Sequence, residues 1–181
     1  MKSNEELLPR PGSPLFNLNL DNVEEKKKTL RKWRLLNKYF VLPLYRLRIL
    51  PLFGFGRIFL IITTKGRKSG KKRRTPLEYH RIDGVITVFS SRGEESGWMK
   101  NIRADPDALT VRYGFHHFQP QLEIVGNIDE KLRIMKWYLV NHGRSSKMLF
   151  GWNPKTDDPE TTDYTNLLKM LTIIRLHRKM E

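Results

Sequence analysis

The feature that most restricts how this chain can fold lies downstream of Arg57, where β-type sequence is cut into short runs by turn-forming residues. Arg57 to Thr64 (RIFLIITT) is a short continuous apolar run suited to a buried strand, and Thr75 to Ile82 reads as a second. Asp83-Gly84 is a tight-turn signal that leads into a third, Val85 to Phe89. Ala108 to Tyr113 and Phe115 to Ile128 form a further pair about Gly114, and Leu167 to Leu176 supplies either a last strand or a helix. Trp98 to Ala104 is a short helix stopped by Asp105-Pro106, and Asp129 caps a longer one carrying Leu132, Met135 and Leu139, which ends near His142-Gly143. Residues 144 to 165 read as loop. Strands this short, joined mostly as hairpins, predict an α+β fold: a split β-barrel of about six mostly antiparallel strands with flanking helices.

The N-terminal third divides differently. Residues 1–21 carry three prolines and little periodicity, and are expected to form a flexible arm. Residues 22–50 are expected to form a basic amphipathic helix, with Asn22 and Glu25 as a capping box and Leu30, Trp33, Leu36, Phe40, Leu44 and Leu47 as an apolar stripe. Pro43 should kink or end it, and Pro51 should stop any helix that resumes beyond that point. The barrel domain then runs over 51–181. Such a helix either packs on its own domain or on the second subunit of a homodimer, or lies on a membrane surface.

Charge sharpens this division. The chain carries +15 overall, and residues 23 to 74 hold 17 lysines and arginines against two acids, so the whole excess lies in that one segment. Such a block attracts nucleic acid, anionic lipid or a phosphorylated small molecule. There is no cysteine, which excludes disulfides and thiolate metal sites and suits a reducing cytoplasm. No apolar run reaches the ~18 residues needed to span a bilayer. The expected location is therefore cytoplasmic, with a peripheral position at the inner face of the cell membrane as the further option.

The densest chemistry is Lys65-Gly-Arg-Lys-Ser-Gly-Lys-Lys-Arg-Arg-Thr-Pro76, where seven basic residues surround two glycines. Tight turns that expose backbone amides, together with the hydroxyls of Ser69 and Thr75 and cationic side chains, form the combination that phosphate oxygens need. The alternative is a solvated hairpin tip charged against edge aggregation. Ser90-Ser91-Arg92-Gly93 offers a second set of amides where a strand ends, with Trp98 placed to brace them or to serve as a core anchor. His116 and His117 are adjacent on a strand and so point to opposite faces, and no HxH or HExxH spacing occurs, so no metal site is expected. No nucleophile elbow is present, and no catalytic residue can be named.

The order TTKGRKSGKKRRTPL, strand, DG turn, strand, SSRG, then W-x-K-N-x-x-A-D-P resembles the deazaflavin (coenzyme F420)-dependent nitroreductase family of the flavin- and deazaflavin-binding split β-barrels. The likeness is strongest from Leu60 to Val111. It implies a homodimeric split barrel that binds F420, a cofactor with a phosphate and a glutamate-rich tail; FMN is the alternative cofactor. It also implies an F420-dependent oxidoreductase that passes hydride to a small hydrophobic acceptor such as a quinone, an enone or a nitro compound. By the same resemblance Arg67, Lys68, Ser69 and Arg73 bind the phosphate and tail, and Thr75 and Pro76 lie where the chain passes the cofactor. Ser90, Ser91, Arg92 and Gly93 face the ring, with Trp98 and Asn101 supporting that loop. The spacer from Gly93 to Trp98 is short and acidic, and the family's tyrosine-rich acceptor segment has no clear counterpart. Two other functions fit the charge and the pattern. One is a non-catalytic binding module for flavin, haem or lipid on the same fold, and the other is binding to a nucleic acid or a membrane surface.

Overall fold

The computed structural model describes residues 7–19, 23–46 and 59–178. The expected cap at Asn22, the stop at Pro51 and the first residues of the strand from Arg57 lie outside them. The fold is α+β, built on seven strands rather than about six. They are β1 (Phe59–Lys65), β2 (Lys72–Ile82), β3 (Val85–Ser90), β4 (Thr110–Tyr113), β5 (His116–Phe118), β6 (Pro120–Ile124) and β7 (Thr172–Arg178). The sheet order is β5-β4-β1-β2-β3-β7-β6, and the pairs with a defined register, β1 with β2 and β4, β2 with β3, β4 with β5 and β6 with β7, are antiparallel.

The helices are α1 (Pro14–Asn19), α2 (Val23–Leu36), α3 (Leu42–Arg46), α4 (Gly97–Ala104), α5 (Ile128–Asn141), α6 (Gly143–Phe150) and α7 (Thr165–Met170). The single helix expected over 22–50 is interrupted by a wide π-helical turn, Asn37–Val41, in which the N–H of Leu42 donates to the carbonyl of Asn37. Pro43 explains this, because its ring clashes with the carbonyl four residues earlier and it has no N–H to donate, so the ladder widens just ahead of it.

Contacts divide the chain into two compact units, residues 1–31 with 125–172 and residues 32–124 with 173–181. In the first unit residues 7–19 are not a free arm, since Leu8, Leu15 and Leu18 are buried. The reason lies in Arg10, whose N–H donates to the carbonyl of Phe150 and whose guanidinium reaches the carbonyl of Gly151 at 2.9 Å and Asp157 at 2.8 Å. Residues 144–165 are also more ordered than expected, because α6 fills their first part and buries Phe150. Helix α5 is capped by Asn127, whose side chain accepts from the N–H of Glu130 at 3.0 Å, and not by Asp129. The ambiguity over Leu167 to Leu176 resolves into both elements in turn, α7 and then β7.

In the second unit β1 to β4 and β7 curl about one core. Leu60, Ile62, Tyr79, Ile86, Val88, Val111, Ile174 and Leu176 point into it, and Met99 and Ile102 of α4 close one side. Fully burying such a side chain stabilises the fold by about 1.5–3 kcal/mol. The β2–β3 turn is the one its sequence demands: Asp83 and Gly84 both have positive φ, 54° and 78°, as a type I′ hairpin requires.

Candidate functional site

The β1–β2 hairpin projects beyond the core. Its register runs from Phe59 opposite Glu78 to Lys65 opposite Lys72, so the turn proper is Gly66 to Lys71. Gly70 takes a positive φ of 64°, which permits the tight reversal. Four of the six amides of this turn already have partners, and among the described residues only those of Lys68 and Lys71 have none. Gly66 N–H donates to Lys71 O, Ser69 N–H and Gly70 N–H both reach Gly66 O, and Arg67 N–H is taken by a side chain. An anion arriving here therefore meets the cationic side chains together with at most the two amides of Lys68 and Lys71.

Those side chains are sorted by their partners. Arg67 is committed to the fold: its backbone N–H and its guanidinium both donate to Oδ1 of Asn101, at 3.3 and 3.2 Å, and the guanidinium also reaches the carbonyl of Gly97 at 3.4 Å. Asn101 is buried in α4 and donates from Nδ2 to Oγ1 of the buried Thr64 at 3.2 Å. A second tie holds the other side of the turn, since Lys65 Nζ lies 3.1 Å from Asp105 Oδ2. Asp105 also accepts from Ala108 N–H, which fixes its own orientation. Arg73 donates to Ser69 Oγ at 3.3 Å. Lys68, Lys71, Lys72 and Arg74 are exposed and have no carboxylate partner among the described residues. Thr75 is half-buried and Pro76 is buried on β2. Pro76 faces Ile61 of β1 and lies ahead of Tyr79, where the register with β3 among the described residues begins.

The loop after β3 stands beside the same helix. Ser90 is buried, and its hydroxyl donates to Gly93 O at 2.8 Å and lies 3.1 Å from the hydroxyl of Ser96. Ser90 therefore shapes the loop from inside. Ser91, Arg92 and Gly93 are half-buried at the rim. Glu94 pairs with Arg103 and Glu95 with Lys100. The hydrogen bond and charge of Lys100 hold the Glu95 carboxyl below its ordinary pKa, and both acids of the spacer are paired with bases of α4. Trp98 packs partly buried against the core cluster, as a core anchor does.

The side-chain hydrogen bonds of Asn101 go to Arg67 and Thr64, not to the Ser90 to Gly93 loop. They tie α4 to the basic hairpin. Asp105 was visible in sequence only as a helix stop, and nothing there announced its ion pair with Lys65, because the two lie forty residues apart. Among the described residues no group of three or more His, Asp or Glu stands ready to hold a metal.

Residues 53–137, just under half of the chain, match the F420H(2)-dependent quinone reductase family. No curated protein is similar enough to the chain to count as a match. Among solved structures, an F420-H2 dependent reductase (FDR-A) is 21% identical over 66% of this chain and 94% of its own, with a TM-score of 0.42. A conserved hypothetical protein from Mycobacterium tuberculosis is 18% identical over 72% of this chain and 79% of its own, at 0.45. An FAD-binding protein from Mesorhizobium loti is 16% identical over 68% and 82%, at 0.40.

Proposed function

We propose that this chain, a member of the F420H(2)-dependent quinone reductase family through residues 53–137, reduces a small hydrophobic acceptor of the quinone class and holds its cofactor by the β1–β2 hairpin. The observation that carries the anchoring is the separation of roles among the hairpin cations. Arg67 and Lys65 are spent on fixing the turn to α4, and Lys68, Lys71, Lys72 and Arg74 are left exposed without carboxylate partners among the described residues. A phosphate and a glutamate-rich tail are the anions that such a rigid, unneutralised cluster suits.

Reduced F420 supplies a hydride when bound. The chain then has two tasks: to hold the phosphate end with Lys68, Lys71, Lys72 and Arg74, and to place Ser91, Arg92 and Gly93 at the rim beside it. Position and orientation alone contribute most of what a hydride transfer needs, so the lack of a paired acid and base is consistent with this chemistry. The discriminating experiment is equilibrium titration of the purified protein with F420, FMN and haem. Binding of F420 at micromolar concentration is expected, and its failure would remove the proposal. Binding without consumption of reduced F420 by any of a panel of quinones and enones would favour a non-catalytic module.

A second element of the proposal concerns where the acceptor is met. Trp33, Leu35, Leu36, Tyr39 and Phe40 are exposed, Phe40 at 62%, beside Lys32, Arg34 and Lys38. Apolar rings flanked by cations match the interface of an anionic bilayer, where a lipophilic quinone resides. No helix among the described residues is long and apolar enough to cross a membrane, so the contact would be peripheral. Co-sedimentation with phosphatidylserine vesicles should be lost when Lys26, Lys27 and Lys28 are changed to Glu. Unchanged binding would remove this element. Sedimentation velocity that shows a dimer, with no vesicle binding, would give the face to a second copy of the chain.

A further inference from the structure

We infer that the end of the sheet remote from the basic hairpin holds a second anion site, formed by Arg81, Arg178 and Tyr113 and suited to a small oxyanion, a carboxylate or a phosphate. Arg81 lies nine positions along β2 from Lys72, roughly 30 Å at strand rise, so the two sites are separate. The three residues come from β2, β7 and β4, and nothing in their sequence spacing links them.

Nη2 of Arg81 donates to the phenol oxygen of Tyr113 at 3.3 Å, and Nη2 of Arg178 donates to the same oxygen at 3.1 Å. Each guanidinium also lies over an aromatic ring, Arg81 at 5.6 Å from the Tyr113 centroid and Arg178 at 5.4 Å from that of Phe118. Phe118 meets Tyr113 edge-on at 6.1 Å, and the exposed His116 ring lies 5.0 Å from Tyr113 on another side. The rings thus fix both guanidinium positions through cation–π contact.

Neither arginine has a carboxylate within ion-pair distance among the described residues. The contrast is on the same strand: Arg175 is paired with Glu123 at 3.5 Å and lies 3.9 Å from Asp83. Two full positive charges therefore converge on one neutral oxygen, and no protein anion among the described residues relieves their mutual repulsion. Both side chains are exposed and keep further N–H donors. An oxyanion that presents two oxygens would take one donor from each and neutralise the pair, and a flat ring attached to it would find the Tyr113, Phe118 and His116 rings as a wall.

The test is an NMR titration of full-length, nitrogen-15-labelled protein with inorganic phosphate and, separately, with benzoate, at constant ionic strength. Saturable shifts are expected at the Nε–Hε signals of Arg81 and Arg178 and the amides of Tyr113 and His116. Arg81→Met and Arg178→Met should each weaken binding at least tenfold, whereas Lys68→Ser with Lys71→Ser should leave these shifts unchanged. Tyr113→Phe keeps both cations and removes the competing oxygen, so it should retain or strengthen binding. Saturation by phosphate alone or by benzoate alone supports the site and assigns its anion. Shifts confined to Lys65 to Arg74, shifts that rise linearly without saturating, or shifts indifferent to both Arg→Met changes would overturn the inference.

Discussion

The side-chain oxygen of Asn101 accepts from both the backbone N–H and the guanidinium of Arg67. One buried amide on α4 therefore decides where a hairpin more than thirty residues upstream is held, and its own orientation is set by donation to Thr64. The pairing converts Arg67 from a free cation into a strut, and it leaves the neighbouring lysines pointing from a fixed base.

Asn101→Ala should release this strut. Loss of an acceptor shared by two donors, one of them charged, should cost about 1–3 kcal/mol in urea unfolding. F420 affinity should fall roughly tenfold because the hairpin cations lose their common frame. Turnover at saturating cofactor should change little, and a KM-against-kcat comparison checks that split.

Lys68→Ala and Lys71→Ala should behave oppositely. Both side chains are exposed and unpaired among the described residues, so stability should stay within about 0.5 kcal/mol of the parent. F420 binding should weaken several-fold for each change and depend less on salt, as expected when screened charge contacts are removed. Isothermal titration at two salt concentrations tests this.

Glu78 on β2 is largely buried, and that burial raises its carboxyl pKa above the ordinary 4.5. The folded state thus holds its proton more tightly than the unfolded state. The consequence is stability that is fully present below the unfolded value and declines as pH rises through the folded one. Glu78→Gln should therefore be neutral or stabilising at pH 7, and the advantage should vanish near pH 4. Urea midpoints across that range decide the point.

Asp157 has the reverse sign. Burial opposes its ionisation, but donors from Arg10 at 2.8 Å, the N–H of Asn153 and Thr156 outweigh it and lower the pKa from 3.8. Its contribution is present above the unfolded value and is lost as pH falls through the lowered one. Asp157→Asn should cost about 1–3 kcal/mol at pH 7. The difference from the parent protein should shrink below about pH 4 in thermal melts.

Much of the fold was legible from residues with strong local preferences. Asp83-Gly84 marks its turn because only a residue tolerant of positive φ followed by glycine makes a type I′ reversal cheap. The hairpin was legible because apolar runs on both sides demand burial while seven basic residues cannot be buried, so the chain must turn outside the core between them. Pro43 announced a disturbed helix by lacking an N–H, though whether the helix would end or widen was not local information.

Other features needed the tertiary structure, because their causes lie far apart in sequence. Residues 7–19 look like a free arm until Arg10 finds Asp157, and 144–165 reads as loop because the packing that buries Phe150 is not a periodic signal. Seven basic residues in a row of ten carry the same formal charge wherever they point. Only the meeting of Arg67 with Asn101 and of Lys65 with Asp105 separates those that hold the hairpin in place from those left exposed to solvent. Charge and turn chemistry are properties of the sequence by itself; the division of labour among identical charges belongs to the fold, because it depends on which carboxylate or amide comes within 3 to 4 Å.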